Sequence, residues 1–470
     1  MLFNSLPFLL FFPAVCVLYY CIPAAWLRLR NLFLLAASYF FYMNWEPAYA
    51  LLLLTSTVVT YLAALGIAHY TEQRKRKAFL VVSLVLNLSL LVLFKYYNFL
   101  SSNIVALMGY YGMSIDIPVS KLLLPVGISF YTFQALGYTI DVYRGTTKVE
   151  RDLATYALFV SFFPQLVAGP IERSNNLLPQ FKQPRSFDYE SAMMGLRMMV
   201  WGYFLKLVLA DRCGAYVDSI FSHLEMHNGG SYLVASLLFP FQIYGDFAGY
   251  SLIAIGAARL LGFRLMQNFR HPYLSCSVGE FWHRWHISLS TWFKDYVYIP
   301  LGGNRVGRKR QYMNLMVTFV LSGLWHGANW TFFCWGALHG VLLCIEKAIG
   351  YGQQAAVSGI GRAGRWLLTF VLVCFAWILF RADTLADAAT VMAGVFTHPG
   401  TPFTRVSDFC IIGASLFVML VNGFRQERHL PIPFNAKTKT WLLHIGLALM
   451  IAVISLFGIL DSSQFIYFQF

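Results

Sequence analysis

The sequence predicts an all-α protein that crosses a lipid bilayer many times, and three observations carry that prediction. Of its 470 residues, 58% are hydrophobic and 12% charged, whereas a soluble domain uses about 25% charged residues to dress its water-facing surface. Apolar runs recur that are longer than core helices need; the first, residues 2–26, holds no charge at all, and roughly 20 such residues span the hydrocarbon core. The basic residues behind a formal net charge of +14 gather in short stretches, QRKRK at 73–77 and GRKR at 307–310. In a soluble chain that charge would point to nucleic acid. In a polytopic chain it is the cytoplasmic bias of loop Lys and Arg.

Taken in order, the first run reads as a retained span, not a secretory signal, because no basic segment precedes it and Arg28 and Arg30 follow it. Further runs lie at 47–70, 78–94, 366–380, 409–424 and 441–460, and the whole chain predicts roughly ten or eleven spans. If the basic clusters at 28–30 and 74–77 both face the cytoplasm, the N-terminus lies outside; the arm 31–44 between them is short for a span. No fixed repeat or long linker divides the chain, which reads as a single membrane domain over 1–470. Its texture changes twice: spans with short loops over 1–145, mixed spans and interfacial or re-entrant helices over 146–306, dense spans again over 307–470. Residues 281–298 are too polar to span freely, and Trp282, Trp285, Trp292, Tyr296 and Tyr298 suit the headgroup level. PLGGN at 300–304 is turn chemistry that ends that segment. The eight cysteines form no CxxC pair and read as small hydrophobes.

Polar residues inside such a chain are where chemistry is sought. His283 and His286 are three apart and share a helical face. Zinc would need at least three protein ligands, and HExxH is absent because Arg284 and Trp285 intervene, so no metal site is read. His326 lies in the run 312–345, which has no Lys, Arg, Asp or Glu. Gly323 and Gly327 beside it either admit a close neighbour or break the helix. On one continuous helix, His339 would be rotated by about 220° from His326. A partner is therefore expected from another segment, with His286 the best candidate. Asp246, in PFQIYGDFAGYSLIAIG, has three open readings: it orients a catalytic histidine, fixes a helix pair, or lines an ion path. With no Walker A loop and no G-x-S-x-G elbow, the histidines fit a base that strips a proton from a hydroxyl, since imidazole has a pKa of about 6.5.

These residues sit in LPVGISFYTFQALGYTIDVYRG, FFPQLVAGPIER, YGDFAGYSLIAIG, FWHRWHISLSTWFKDYVYIPLGGNR, GLWHGANWTFFCWGALHG and the terminal FIYFQF. Together and in this order they resemble the membrane-bound O-acyltransferase (MBOAT) family, in particular its bacterial alginate O-acetyltransferase (AlgI-like) branch. The resemblance implies that His326 is the near-invariant family histidine and His286 the second motif histidine, both catalytic. His283 stands where relatives often carry other polar residues. Trp325, Asn329, Arg284, Trp285 and Ser288 are candidate substrate-binding residues beside them, as are Asp246 and Tyr250 of Tyr-x-Asp-Phe-x-Gly-Tyr. Arg284 and Lys294 either meet donor phosphates or anchor the interface.

The resemblance further implies an inner-membrane O-acetyltransferase that takes its acyl group from cytoplasmic acetyl-CoA, a substrate and not a resident cofactor. The acceptor would be an exported polysaccharide, reached through a periplasmic or extracellular partner protein; no nucleic acid is involved. Two alternatives stay open besides a catalytically idle scaffold for an export complex, against which the presence of both motif histidines speaks. One is the related transfer of D-alanine from a carrier protein to teichoic acid, against which YIPLGGNR speaks. The other is a transporter or channel lined by intramembrane His and Asp, a class that commonly shows two related halves, which this sequence does not.

Overall fold

The computed structural model describes residues 1–120, 122–167, 169–351, 359–428, 440–459 and 465–466, and among them every regular element is a helix. Among the described residues, five helices are long and apolar enough to cross a bilayer: Tyr49–His69, Gln73–Tyr110, Tyr189–Phe221, Ile360–Arg381 and Val406–Glu427. Leu6–Cys21, Leu385–Thr397 and Trp441–Phe457 are apolar but shorter. Hydrocarbon offers no water to backbone N–H and C=O groups, so a chain this apolar satisfies them within helices. The protein is an all-α, multi-pass membrane protein. Residue 460, the end of the last expected span, Ala168 of FFPQLVAGPIER, and residues 467–470 of the aromatic terminus lie outside the described residues.

Two expected boundaries shift, each for a local reason. Residues 2–26 are not one helix: Leu6–Cys21 ends at the extended Ile22, and Leu27–Met43 starts afresh with Arg28 and Arg30 in its opening turns. Pro23 follows at once, and the residue before a proline is driven out of the helical basin. The basic stretch 73–77 is not a loop either. It opens the helix Gln73–Leu91, which runs on through the π-turn Val92–Tyr96. Lys and Arg are strong helix formers whose stems lie along apolar surface while the charge reaches the end. Arg308–Arg310 likewise open Arg308–His326.

Two compact units make up the chain, Met1–Gly195 with Ala254–Met266, and Leu196–Ile253 with Gln267–Phe470. In the first, Tyr49–His69, Gln73–Leu91 and Ile128–Arg144 pack together, and buried hydroxyls find partners across helices. Ser56 Oγ donates to Asn87 Oδ1 at 2.6 Å and Tyr156 Oη to Thr60 Oγ1 at 2.7 Å, as polar groups in an apolar interior must.

The second unit holds both histidine motifs. Its main device is a helical hairpin, Arg308–His326 and Trp330–Ala348. The two arms cross at glycines: a Cβ on Gly336 would meet the Gly323 Cα at 3.2 Å and the Phe319 carbonyl oxygen closer still. Only glycine lets the backbones come so near, and the turn at the tip leaves His326 as the last residue of the first arm. A second crossing sets Gly202 against Gly249, where a Cβ on either would lie 2.6–2.7 Å from the other's carbonyl oxygen. It brings the π-helical stretch Phe204–Ala210 against the 32-residue helix Gly229–Leu260, and with it Lys206 against Asp246.

Candidate active site

The first motif breaks its own helix at the histidine. Ser277 caps the short helix Val278–Arg284, its side chain accepting from Glu280 N. Trp285 is extended, His286 takes φ 42° and ψ 54°, and a new helix runs over Ile287–Phe293. A non-glycine residue in this left-handed region costs of order 1–3 kcal/mol, so its surroundings must hold it there. Asn268 does so. Its backbone oxygen accepts from Ile287 N at 2.9 Å. Its side-chain Oδ1 lies 3.1 Å from His286 Nδ1, 3.3 Å from Ser288 N and 2.9 Å from Ser288 Oγ. His286, Ser288 and Asn268 are all fully buried.

The second motif delivers His326 at the hairpin tip. Its ring centre lies 4.9 Å from Trp325, 5.1 Å from Trp335 and 5.3 Å from Phe380, all edge-on. The His286 ring centre is 6.5 Å away, with Trp325 and Phe247 at 6.0 and 4.6 Å from His286. At that separation the imidazoles do not hydrogen-bond directly, since N–H···N heavy atoms must come within about 3.2 Å. They can face one small group between them. A low-dielectric wall of rings strengthens any charge that develops there.

His339 lies on the second arm, because the run 312–345 is not one continuous helix: it breaks at Gly327–Asn329. The rotation argument therefore does not apply across the tip. His339 Nδ1 accepts from Trp282 Nε1 at 3.2 Å, and its ring lies 5.0 Å from Trp335, the indole that also touches His326.

The other candidate residues fall into different surroundings. Asp246 Oδ1 pairs with Lys206 Nζ at 2.9 Å, and its Oδ2 accepts from Ile466 N at 2.7 Å. Lys206 also pairs with Asp211 at 2.8 Å and lies over the Tyr250 ring, which packs on Phe465. Asp246 thus ties two helices and the C-terminal segment together. Arg284 grips Glu427 with two bonds of 2.8 Å and meets Glu280, so its fork is engaged by carboxylates. Asn329 caps the second hairpin arm, accepting from Thr331 N at 3.2 Å and donating to the Asp383 carbonyl at 2.8 Å. His283 is exposed and lies 2.6 Å from the Gly279 carbonyl; Lys294 is exposed.

Of the five aromatic residues expected at the headgroup level, three are covered by protein instead. Trp282, Trp285 and Trp292 are buried. Trp285 stacks on Phe281 and packs against Phe269 and Trp377 at 5.0–5.5 Å, where the burial of a whole indole outweighs the gain from an interfacial seat. Two residues escaped the sequence reading. Lys206 carried a signal of the same kind as Asp246, a charge in an apolar run. Asn268 carried none, being one polar residue in a connecting segment.

The sequence profile of the membrane-bound O-acyltransferase family matches residues 84–383. "Probable alginate O-acetylase AlgI" of Azotobacter vinelandii is 42% identical over 452 residues, covering 93% of this chain and 88% of that protein. The peptidoglycan O-acetyltransferase of Helicobacter pylori is 32% identical over 523 residues, covering 100% and 98%. A teichoic acid D-alanyltransferase of Streptococcus thermophilus is 31% identical over 236 residues, covering 47% and 57%.

Proposed function

The chain belongs to the membrane-bound O-acyltransferase family and is an O-acyltransferase, and from that premise we propose its reaction: transfer of an acetyl group from cytoplasmic acetyl-CoA to a hydroxyl that leads, through a periplasmic or extracellular partner protein, to an exported polysaccharide. In this reading the protein lies in a bacterial inner membrane with its N-terminus outside, so that the basic clusters at 28–30 and 74–77 face the cytoplasm. His326 takes the proton of the acceptor hydroxyl as that oxygen bonds to the thioester carbonyl carbon. The carbon–sulfur bond breaks, and the proton leaves with the sulfur as CoA thiol. His286 assists across the site.

The observation that carries this reading is the meeting of two motif histidines, 40 positions apart in the chain, within 6.5 Å among buried rings. Enclosure of this kind keeps water from the thioester. The test is release of label from radiolabelled acetyl-CoA by protein in nanodiscs, wild type beside His326→Ala. Loss of turnover in a variant with an unchanged size-exclusion profile supports the reading, and equal turnover removes His326 from the chemistry. If D-alanyl carrier protein served as donor where acetyl-CoA did not, the D-alanyl reading would replace it; the shorter likeness to the D-alanyltransferase gives that reading less support.

A further inference from the structure

We propose that Asn268 is the positioning residue of the site: it locks His286 in the Nδ1–H tautomer and so makes Nε2 the basic nitrogen of that imidazole. This rests on the assignment of His286 to the reaction, and it deepens that assignment by naming the ring nitrogen through which His286 can assist.

The argument runs through one carboxamide. Its oxygen and nitrogen differ in what they can face. The Ser288 backbone N–H, 3.3 Å from the Asn268 side chain, can only donate. An amide rotated the other way would set NH₂ against that N–H, donor against donor, so the atom there is oxygen. The rotation seen also lets Nδ2 donate to Ser251 Oγ at 3.2 Å, which fastens the side chain to the helix Gly229–Leu260. A carboxamide oxygen has no proton to give. His286 Nδ1, 3.1 Å from it, must therefore be the donor. In a neutral imidazole with hydrogen on Nδ1, the lone pair is on Nε2.

The backbone around the pair is built to keep it. Ile287 N donates to the Asn268 carbonyl, and Arg270 N to the Arg284 carbonyl, both at 2.9 Å, so the segment 268–270 runs hydrogen-bonded beside 284–287. That pairing holds His286 at its positive φ and delivers Nδ1 to the carboxamide in the same step. A histidine on an unbroken helix would have neither the turn nor the partner. The strained turn and the tautomer lock are one device.

Two readouts test it. Long-range ¹H–¹⁵N spectra of ¹⁵N-histidine protein in nanodiscs, with His286 assigned by its disappearance in His286→Gln, should give the Nδ1–H pattern in wild type and in Asn268→Asp, which keeps an acceptor oxygen. Asn268→Leu should give the Nε2–H form or a mixture. In acetyl-CoA turnover, Asn268→Leu should lower kcat about 10- to 100-fold, the scale on which orienting partners of functional histidines act, with KM changed less than about threefold. Asn268→Asp should recover part of the loss. An Nε2–H His286 in the wild-type protein overturns the proposal, even if Asn268→Leu does not fold. So does an unchanged tautomer in a folded Asn268→Leu. If His286→Gln turns over at the wild-type rate, the catalytic assignment fails separately, because the wild-type spectrum still reports the tautomer.

Discussion

Two buried polar clusters lie in the same unit of this protein and are built on opposite plans. Around Asp246, charge meets charge: a carboxylate, the Lys206 ammonium and a second carboxylate, Asp211, within 2.9 Å of one another through the ammonium, with a backbone N–H on the remaining oxygen. Around His286 and His326 the neighbours include aromatic rings set edge-on and one neutral carboxamide. Under the proposed reaction, the difference follows from what each group has to do. A fixed opposite charge a few ångströms away holds a titratable group in one state, which suits a strut. A group that must take up and release a proton is better placed among neutral partners, where both states are reachable. Under the proposed reaction, burial alone does not mark a catalytic residue; the charge of its neighbours does.

Four experiments break or sharpen this contrast, from the largest expected effect downward. His326→Ala should lower turnover about 10²- to 10⁴-fold, the range for losing a general base, with little change in melting temperature. A large stability loss with normal turnover per folded molecule would move His326 to the architectural side. Lys206→Met should do the reverse: it leaves two buried carboxylates without their cation, at a cost of about 3–5 kcal/mol, read as a fall in thermal stability and folded yield. Should the folded Lys206→Met protein lose turnover as His326→Ala does, the ion cluster would belong to the reaction.

Glu172 offers a third arrangement, in the first unit: a buried carboxylate in a connecting loop whose partners are neutral donors, Asn176 Nδ2 at 2.7 Å and the Met266 N–H. Burial, only partly offset by those bonds, pushes its pKa up to about 7. The folded state then binds the proton more tightly than the unfolded chain. Glu172 thus adds stability that is full below its ordinary pKa of 4.5 and is lost as the pH rises through about 7, amounting to about 3 kcal/mol across that window. Unfolding measured from pH 4 to 8 should show this slope in wild type and a flatter one in Glu172→Gln; the same slope in both would mean the group titrates normally. Smallest is Asn329→Ala, which removes a helix cap and should cost about 1 kcal/mol with KM unmoved. A raised KM for acetyl-CoA would return Asn329 to substrate binding.

Much of this contrast is legible in the sequence, though not all of it. His286 stood out by its spacing from His283 and its place in a family motif, and His326 because a histidine in a run without charges demands a reason. Asp246 stood out on the same grounds, yet sequence could not separate its catalytic from its architectural reading, since the deciding partner, Lys206, lies 40 positions upstream. Arg284 looked ready for phosphate until Glu427, 143 positions away, filled its fork. Trp285 looked interfacial because an indole is amphipathic, and it became core because five other rings pack around it. Asn268 left no trace in the sequence: its meaning is a set of distances to residues 286–288.

The sequence by itself determined that this chain is helical, lies in a membrane and carries two histidine motifs. Those are properties of composition and order, and a solvent of hydrocarbon admits few other solutions for a chain so apolar. Only the tertiary structure decided which buried polar groups are neutralised and which face neutral partners. Pairing energies fall off within a few ångströms, and which groups come that close is set by the crossings at Gly202 and Gly336 and by the broken turn at His286, not by separation along the chain.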